Sequence, residues 1–167
     1  MTTYFVLTVI ADDKPGLVKM LANAIESNSA NWLESSMSQL AGKFAGLLRI
    51  SVEEEQADKL EAALNSLEGL KLVIERVVNE ATHGSPVTVD FSLVANDRPG
   101  IISEISHVLA ELSVNVEKLV SHCEPAPMSG EQLFKASAKV KIPSSLDLDK
   151  LQVALENLTD DTMVEFG

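Results

Sequence analysis

The chain is poor in several things that would narrow its function quickly. It has one cysteine, Cys123, in 167 residues. A lone thiol excludes an intrachain disulfide framework and fits a reducing compartment. No apolar run approaches the ~18 residues of a membrane span. The start, Met1-Thr2-Thr3-Tyr4, carries no basic segment of the kind that opens a secretory leader, so a cytoplasmic protein is expected. Positive charge is scarce too: 13 Lys and Arg stand against 25 Asp and Glu, for a net charge of −12. Residues 1–81 carry −5 and residues 82–167 carry −7, so no basic domain hides within the average. Clustered Lys and Arg, which grip phosphate backbones, do not occur along the chain, and direct nucleic-acid binding is not expected. The acidic run Glu53-Glu54-Glu55 reads as a solvated helix start.

Catalytic signatures are missing as well. There is no Gly-rich phosphate loop, no His-Glu-x-x-His metal motif and no serine nucleophile elbow. His83, His107 and His122 fall on linker, helix and strand without ligand spacing. His122 and Cys123 are strand neighbours, whose side chains point to opposite faces and cannot form a nucleophile–base pair. The expectation is no enzyme, no metal and no cofactor.

What is present is a repeat. Asp-Lys-Pro-Gly-Leu at Asp13–Leu17 returns as Asp-Arg-Pro-Gly-Ile at Asp97–Ile101. Each copy follows an apolar, β-branched run (Tyr4–Ala11 and Val87–Ala95) and precedes a stretch with helical spacing. An Asn, Asn31 or Asn115, stands 18 residues beyond the first Asp of each copy. Two small domains are therefore expected: residues 1–81, a polar linker over 82–86, and residues 87–167.

Within the first unit, Tyr4–Ala11 reads as a strand buried on both faces. Asp13 is expected to cap the next helix, with Pro15 in its first turn. Leu17, Met20, Leu21, Ala24 and Ile25 mark that helix's buried face. Asn31–Leu40 and Phe44–Val52 form a hairpin around Ala41-Gly42-Lys43. A second helix buries Leu60, Leu64 and Leu67 and stops at Gly69, before a last strand over Leu70–Val78. The second unit repeats this with Ile101, Ile105, Val108, Leu109 and Leu112, then Leu151, Leu155 and Leu158. Its longer hairpin loop lies around Glu124–Gly130. The order β-α-β-β-α-β predicts an α+β fold of two tandem ferredoxin-like sandwiches, antiparallel sheets with helices on one face. The other sheet face of each unit would be apolar and need a cover, from the neighbouring unit or from a homodimer.

The repeated turn is also the candidate site. A strand end followed by a helix start presents unpaired N–H groups and a positive partial charge, suited to a small carboxylate. Gly16 and Gly100 allow close approach to the backbone. Asp13 and Asp97 could attract an ammonium group, and Asn31 and Asn115 offer donor and acceptor together. Such a set fits a zwitterionic amino acid. The plain alternative is a helix-start turn that binds nothing.

At these residues the chain resembles tandem ACT-domain proteins, a regulatory ferredoxin-like family that binds amino acids. The matching stretches are Ala11–Leu17 and Ala95–Ile101, with Asn31 and Asn115. The absence of an attached enzyme, the stretch Ser113–Ser121 and the Pro-containing loop after it look most like the glycine cleavage system repressor group. The resemblance implies a sensor of glycine or serine that controls transcription through a DNA-binding activator protein. It carries ligand binding onto Asp13, Lys14, Pro15, Gly16 and Asn31, and onto Asp97, Arg98, Pro99, Gly100 and Asn115. Asn96 stands where the first copy has Asp12, so the two sites are not expected to be equal. A separately encoded regulatory subunit for an amino-acid-metabolising enzyme is the competing reading, and a dimerisation module that binds no ligand is the third.

Overall fold

A computed structural model describes residues 1–78 and 87–167. The chain divides into two compact units, Met1–Ala81 and Thr82–Gly167. The linker expected over 82–86, with His83, lies outside the described residues.

The first unit runs β1 (Thr2–Asp12), α1 (Leu17–Ser27), β2 (Asn31–Leu40), β3 (Lys43–Glu53), α2 (Glu54–Asn65) and β4 (Lys71–Val77). The second repeats it as β5 (Val87–Asn96), α3 (Ile101–Glu111), β6 (Asn115–Pro125), β7 (Gln132–Ile142), α4 (Leu148–Glu156) and β8 (Met163–Phe166). Each unit is a four-stranded antiparallel sheet, in the orders β2-β3-β1-β4 and β6-β7-β5-β8. Both halves are thus βαββαβ sandwiches.

The helices cover one face of each sheet, and the cores lie there. Phe5, Leu7 and Val9 of β1 meet Leu21 and Ile25 of α1 and Leu60 and Leu64 of α2, all buried. Their counterparts are Phe91, Leu93, Ile105, Leu109, Leu151 and Leu155. Burying one such side chain is worth about 1.5–3 kcal/mol, so these faces hold each unit together. Leu67 and Leu158 also pack against the cores, just past the ends of α2 and α4.

Several local expectations need correction. β1 is not buried on both faces: Phe5, Leu7, Val9 and Ala11 alternate with less buried residues, and Ile10 is 43% exposed. Its apolar residues fall in both phases, which imitates a doubly covered strand. Asp13 does not cap α1. Gly16 is the N-cap, left-handed at φ 93°, with no side-chain cap bond, and Pro15 precedes the helix instead of sitting in its first turn. The same holds at Gly100, φ 86°. Of the two helix-start modes only α4 uses a side chain, where Asp147 accepts from the Asp149 N–H at 3.0 Å. α2 ends at Asn65, four residues before Gly69, which serves the turn into β4 at φ 81°.

The outer sheet faces differ more than the repeat suggests. On the first sheet Ile10, Leu47 and Val73 are 43%, 54% and 58% exposed, with Val6 beside them, so that face is apolar at its centre. On the second, the positions matching Val6, Leu47 and Val73 hold Asp90, Ser137 and Glu165, while Ile10 is matched by Val94. The centre of the outer face is therefore apolar in the first unit and polar in the second, with Val94, Val120 and Met163 around it. Lys118, Lys135, Lys139 and Lys141 also share the second face, a cation group that the linear sequence does not display.

Candidate functional site

The two Asp-x-Pro-Gly turns occupy equivalent places, between the end of the central strand and the start of a helix. Each is tied to the hairpin beside it: the Asp13 N–H donates to the Gly42 carbonyl at 3.0 Å, and the Asp97 N–H to that of Gln132 at 2.9 Å. The helices begin with the Met20 N–H donating to the Gly16 carbonyl at 2.9 Å and the Glu104 N–H to that of Gly100 at 3.1 Å. A Cβ on Gly16 or Gly100 would meet nothing within 4 Å. Glycine is required there by the positive φ, and the space beside it is open. Neither helix start is sealed under neighbouring side chains.

The side chains around the turns differ. In the first unit Asp12 is ion-paired with Lys43, at the start of β3. The hydrogen bond and charge of Lys43 hold the Asp12 carboxyl below the usual carboxylate range, with smaller help from Lys14 and Lys71. The Lys14 ammonium reaches over the α2–β4 turn, 3.5 Å from where a Cβ on Gly69 would lie. Ile10, Ala11, Asp12, Lys43, Gly69, Leu70 and Lys71 line a hollow of about 530 Å³ at this end of the sheet. Lys14, Lys43 and Lys71 thus face a single carboxylate across it, which makes this end of an acidic unit locally cationic.

The second turn is closed on itself. Arg98 pairs with Glu104 in the first turn of α3, with one N–H···O contact at 3.0 Å, and this raises the Arg98 pKa and lowers that of Glu104. Asn96, in the place of Asp12, donates its N–H to the Asp161 carboxylate at 2.7 Å. Hydrogen bonds from Thr159 and then from the Asn96 N–H keep the Asp161 carboxyl low. Cys123 is exposed; partial burial and the nearby Asp97 push its thiol up, away from a reactive thiolate. Lys43, Lys71 and Asp161 escaped the sequence reading. Lys43 and Lys71 open strands that end beside β1, a placement visible only once the register is known.

Asn31 and Asn115 are not beside these turns. Asn31 pairs with Ser51, which pairs with Tyr4, whereas the turn follows Asp12. Eight strand residues separate the two levels, about 26 Å at ~3.3 Å per residue. Asn115 is level with Lys141 and Thr88, equally far from Asn96. The single-unit site expected from Asp13, Lys14, Pro15, Gly16 and Asn31, and its copy from Asp97, Arg98, Pro99, Gly100 and Asn115, is therefore split. The turn residues are contiguous, and the Asn stands at the opposite end of the same sheet.

His107 and His122 each sit against a neighbouring carboxylate. His107 faces Glu111 one helical turn on, at 3.1 Å, and His122 faces Glu124 on the same strand face, also at 3.1 Å. Among the described residues no group of His, Cys, Asp and Glu is placed to hold a metal ion, and no helix is long and apolar enough to cross a membrane.

Comparison with known proteins agrees with the duplicated architecture. ACT-domain profiles match residues 3–74 and residues 83–164. The chain is 23% identical over 159 residues to the glycine cleavage system transcriptional repressor of Escherichia coli (strain K12), a match spanning 93% of this chain and 83% of that protein. The crystal structure of an unknown protein from Galdieria sulphuraria superposes with a TM-score of 0.82 at 28% identity, covering 99% and 98% of the two chains. A crystal structure assigned provisionally to a glycine cleavage system transcriptional repressor gives 0.73 at 18% identity, covering 100% and 98%.

Proposed function

The chain belongs to the ACT-domain family, one module in each half, and from that premise we propose that it is an amino-acid-sensing regulator. In this reading it works in the cytoplasm, answers glycine or serine, and represses transcription by engaging a DNA-binding activator protein. The observation that carries the reading is the duplicated helix start with a glycine at positive φ and open space beside it. Such a backbone offers unpaired N–H groups and a positive partial charge to a ligand carboxylate.

The 26 Å between turn and Asn within a unit sets a condition on the site. Turn and Asn of one unit can hold one amino acid together only when a second copy of the chain brings its own Asn to that turn. The ligand then bridges units, so its binding biases how they associate and which surface they show a partner. Asp13, Lys14, Pro15, Gly16 and Asn31 form the better pair of half-sites. Arg98 is engaged with Glu104, which leaves Asp97, Pro99, Gly100 and Asn115 as the weaker set.

The charge of −12 supports action through a protein rather than on DNA, and the similarity to a transcriptional repressor supports a role in transcription. The test is calorimetric titration of the full chain with a panel of amino acids, followed by capture of partners with and without the best binder. Heat for glycine or serine, and ligand-dependent recovery of a DNA-binding protein, are the expected results. A silent panel would remove the sensor, and recovery of a metabolic enzyme would replace the repressor with a regulatory subunit.

A further inference from the structure

We propose that the hollow at the turn end of the first sheet is a binding site for an organic phosphate monoester. The inference does not depend on amino-acid sensing. Residues 1–81 hold only seven Lys and Arg, and three of them, Lys14, Lys43 and Lys71, meet at this one end. Register sets Lys43 opposite Asp12 and Lys71 opposite Ile10, on the outer face of the sheet, whereas α1 packs on the inner one. β3 and β4 flank β1, so the two lysines stand on either side of it, about 12 Å apart at the backbone. Lys14 comes from the turn: its ammonium lies 3.5 Å from where a Cβ on Gly69 would be, and Gly69 lines the hollow. Lys43 is ion-paired with Asp12, while Lys14 and Lys71 make no ion pair among the described residues. Asp12 is the only acid among the described residues that line the hollow; Asp13 and Glu68 flank it in sequence and are exposed. Three ammonium groups against one lining carboxylate leave two positive charges. A phosphate monoester, at about −1.5 to −2 near pH 7, matches that excess, and a single carboxylate does not. Lysine holds phosphate as a point charge, without requiring one fixed orientation. The volume of about 530 Å³ falls within the ~300–1,000 Å³ of small-molecule sites. Ile10 and half-buried Leu70 supply an apolar wall for the carbon part of the ester.

The second unit has the same backbone there without the charge. Asn96, in the place of Asp12, is opposite Leu133, where the first unit has Lys43. Val94, in the place of Ile10, is opposite Met163, where the first unit has Lys71. Two residues before Met163, as Gly69 is before Lys71, stands Asp161, whose carboxylate takes the Asn96 N–H. Arg98 replaces Lys14 and is held by Glu104, whose counterpart in α1 is Met20. Every cation of the first hollow is thus replaced by an apolar side chain or paired with an acid, on a matching strand register. The second unit is therefore a control within the same molecule.

Amide NMR titration of the isotope-labelled full chain with phenyl phosphate tests this, with inorganic phosphate and benzoate as comparison probes. Saturable binding of one phenyl phosphate per chain is expected, with shifts at Gly69 and Lys71 and none at Asp161 and Met163. Inorganic phosphate, which lacks the carbon part, and benzoate, which lacks the second charge, should each bind more weakly. Lys71→Met, the residue the second unit has at that place, should weaken phenyl phosphate binding at least about tenfold. Asp12→Asn frees Lys43 and should tighten it by about threefold or more. Lys59→Met, which removes one exposed charge from α2, should change it by less than about twofold. Circular dichroism melting checks that each variant is folded. Shifts that never saturate, equal shifts in the two units, benzoate binding as tightly as phenyl phosphate, or a loss in Lys59→Met equal to that in Lys71→Met would each overturn the proposal.

Discussion

The ends of the two central strands carry the same backbone turn in different chemical surroundings. Gly16 and Gly100 share a left-handed φ, an open flank and a bond from the preceding Asp to the neighbouring hairpin. Around the first, Lys14, Lys43 and Lys71 surround Asp12. Around the second, Arg98 is tied to Glu104, and Asp161 takes the Asn96 N–H. Backbone geometry is thus common to both units, while side-chain charge separates an accessible cationic end from a self-satisfied one. A duplicated fold can keep its strand–turn–helix frame and still let one copy lose its readiness for a ligand.

That comparison can be broken most forcefully at the cores. Leu60 and Leu151 are both 0% exposed in matching helices. Leu60→Ala and Leu151→Ala should each cost about 2–5 kcal/mol, read by urea denaturation. Equal costs would support equivalent packing; a cost under ~1 kcal/mol in one would deny it. The turns come next. Gly16→Val and Gly100→Val force a β-branched residue into positive φ and should each cost about 1–3 kcal/mol, with weaker ligand binding, because the strain is the same in both units. The side chains sharpen the contrast. Lys14→Ala should weaken amino-acid binding about tenfold, on the scale of one charged hydrogen bond, while Arg98→Ala should change it less than threefold, since Arg98 already has Glu104. Calorimetry on the two variants decides, and the reverse order would contradict the ranking of the sites.

The smallest expected effect is on pH dependence. The folded-state pKa of Asp12 is depressed, so its contribution is present above the ordinary aspartate value, about 3.9, and is lost as pH falls below that through the depressed value. Lys43→Met removes the main cause of the shift. The variant's acid unfolding curve should therefore be flatter than the native one below about pH 4. An unchanged curve would show that the exposed pair has no thermodynamic weight.

Repeat, element order and core were all legible in the chain, because helix and strand periodicities fix which apolar residues share a face. Leu21, Ile25, Leu60 and Leu64 are such cases. The position of Asn31 was not, and the reason is directional. A separation of 18 residues counts chain, and here that chain includes an 11-residue helix running back along the sheet. The second strand therefore opens level with the start of β1, across β3, rather than with its end. The outer faces were misjudged for another reason. Val6 and Ile10 alternate with Phe5, Leu7, Val9 and Ala11, so the apolar run hides which phase meets the helices. Lys118, Lys135, Lys139 and Lys141 are spread over 24 residues of sequence and meet only through the β6–β7 register.

The bond from the Asp13 N–H to the Gly42 carbonyl has a mechanical meaning. It ties the helix entrance to the tip of the β2–β3 hairpin. β2 is an edge strand, with a row of main-chain groups facing away from β3. Any molecule that tightens the entrance therefore also stiffens the border of the sheet where another polypeptide would add a strand.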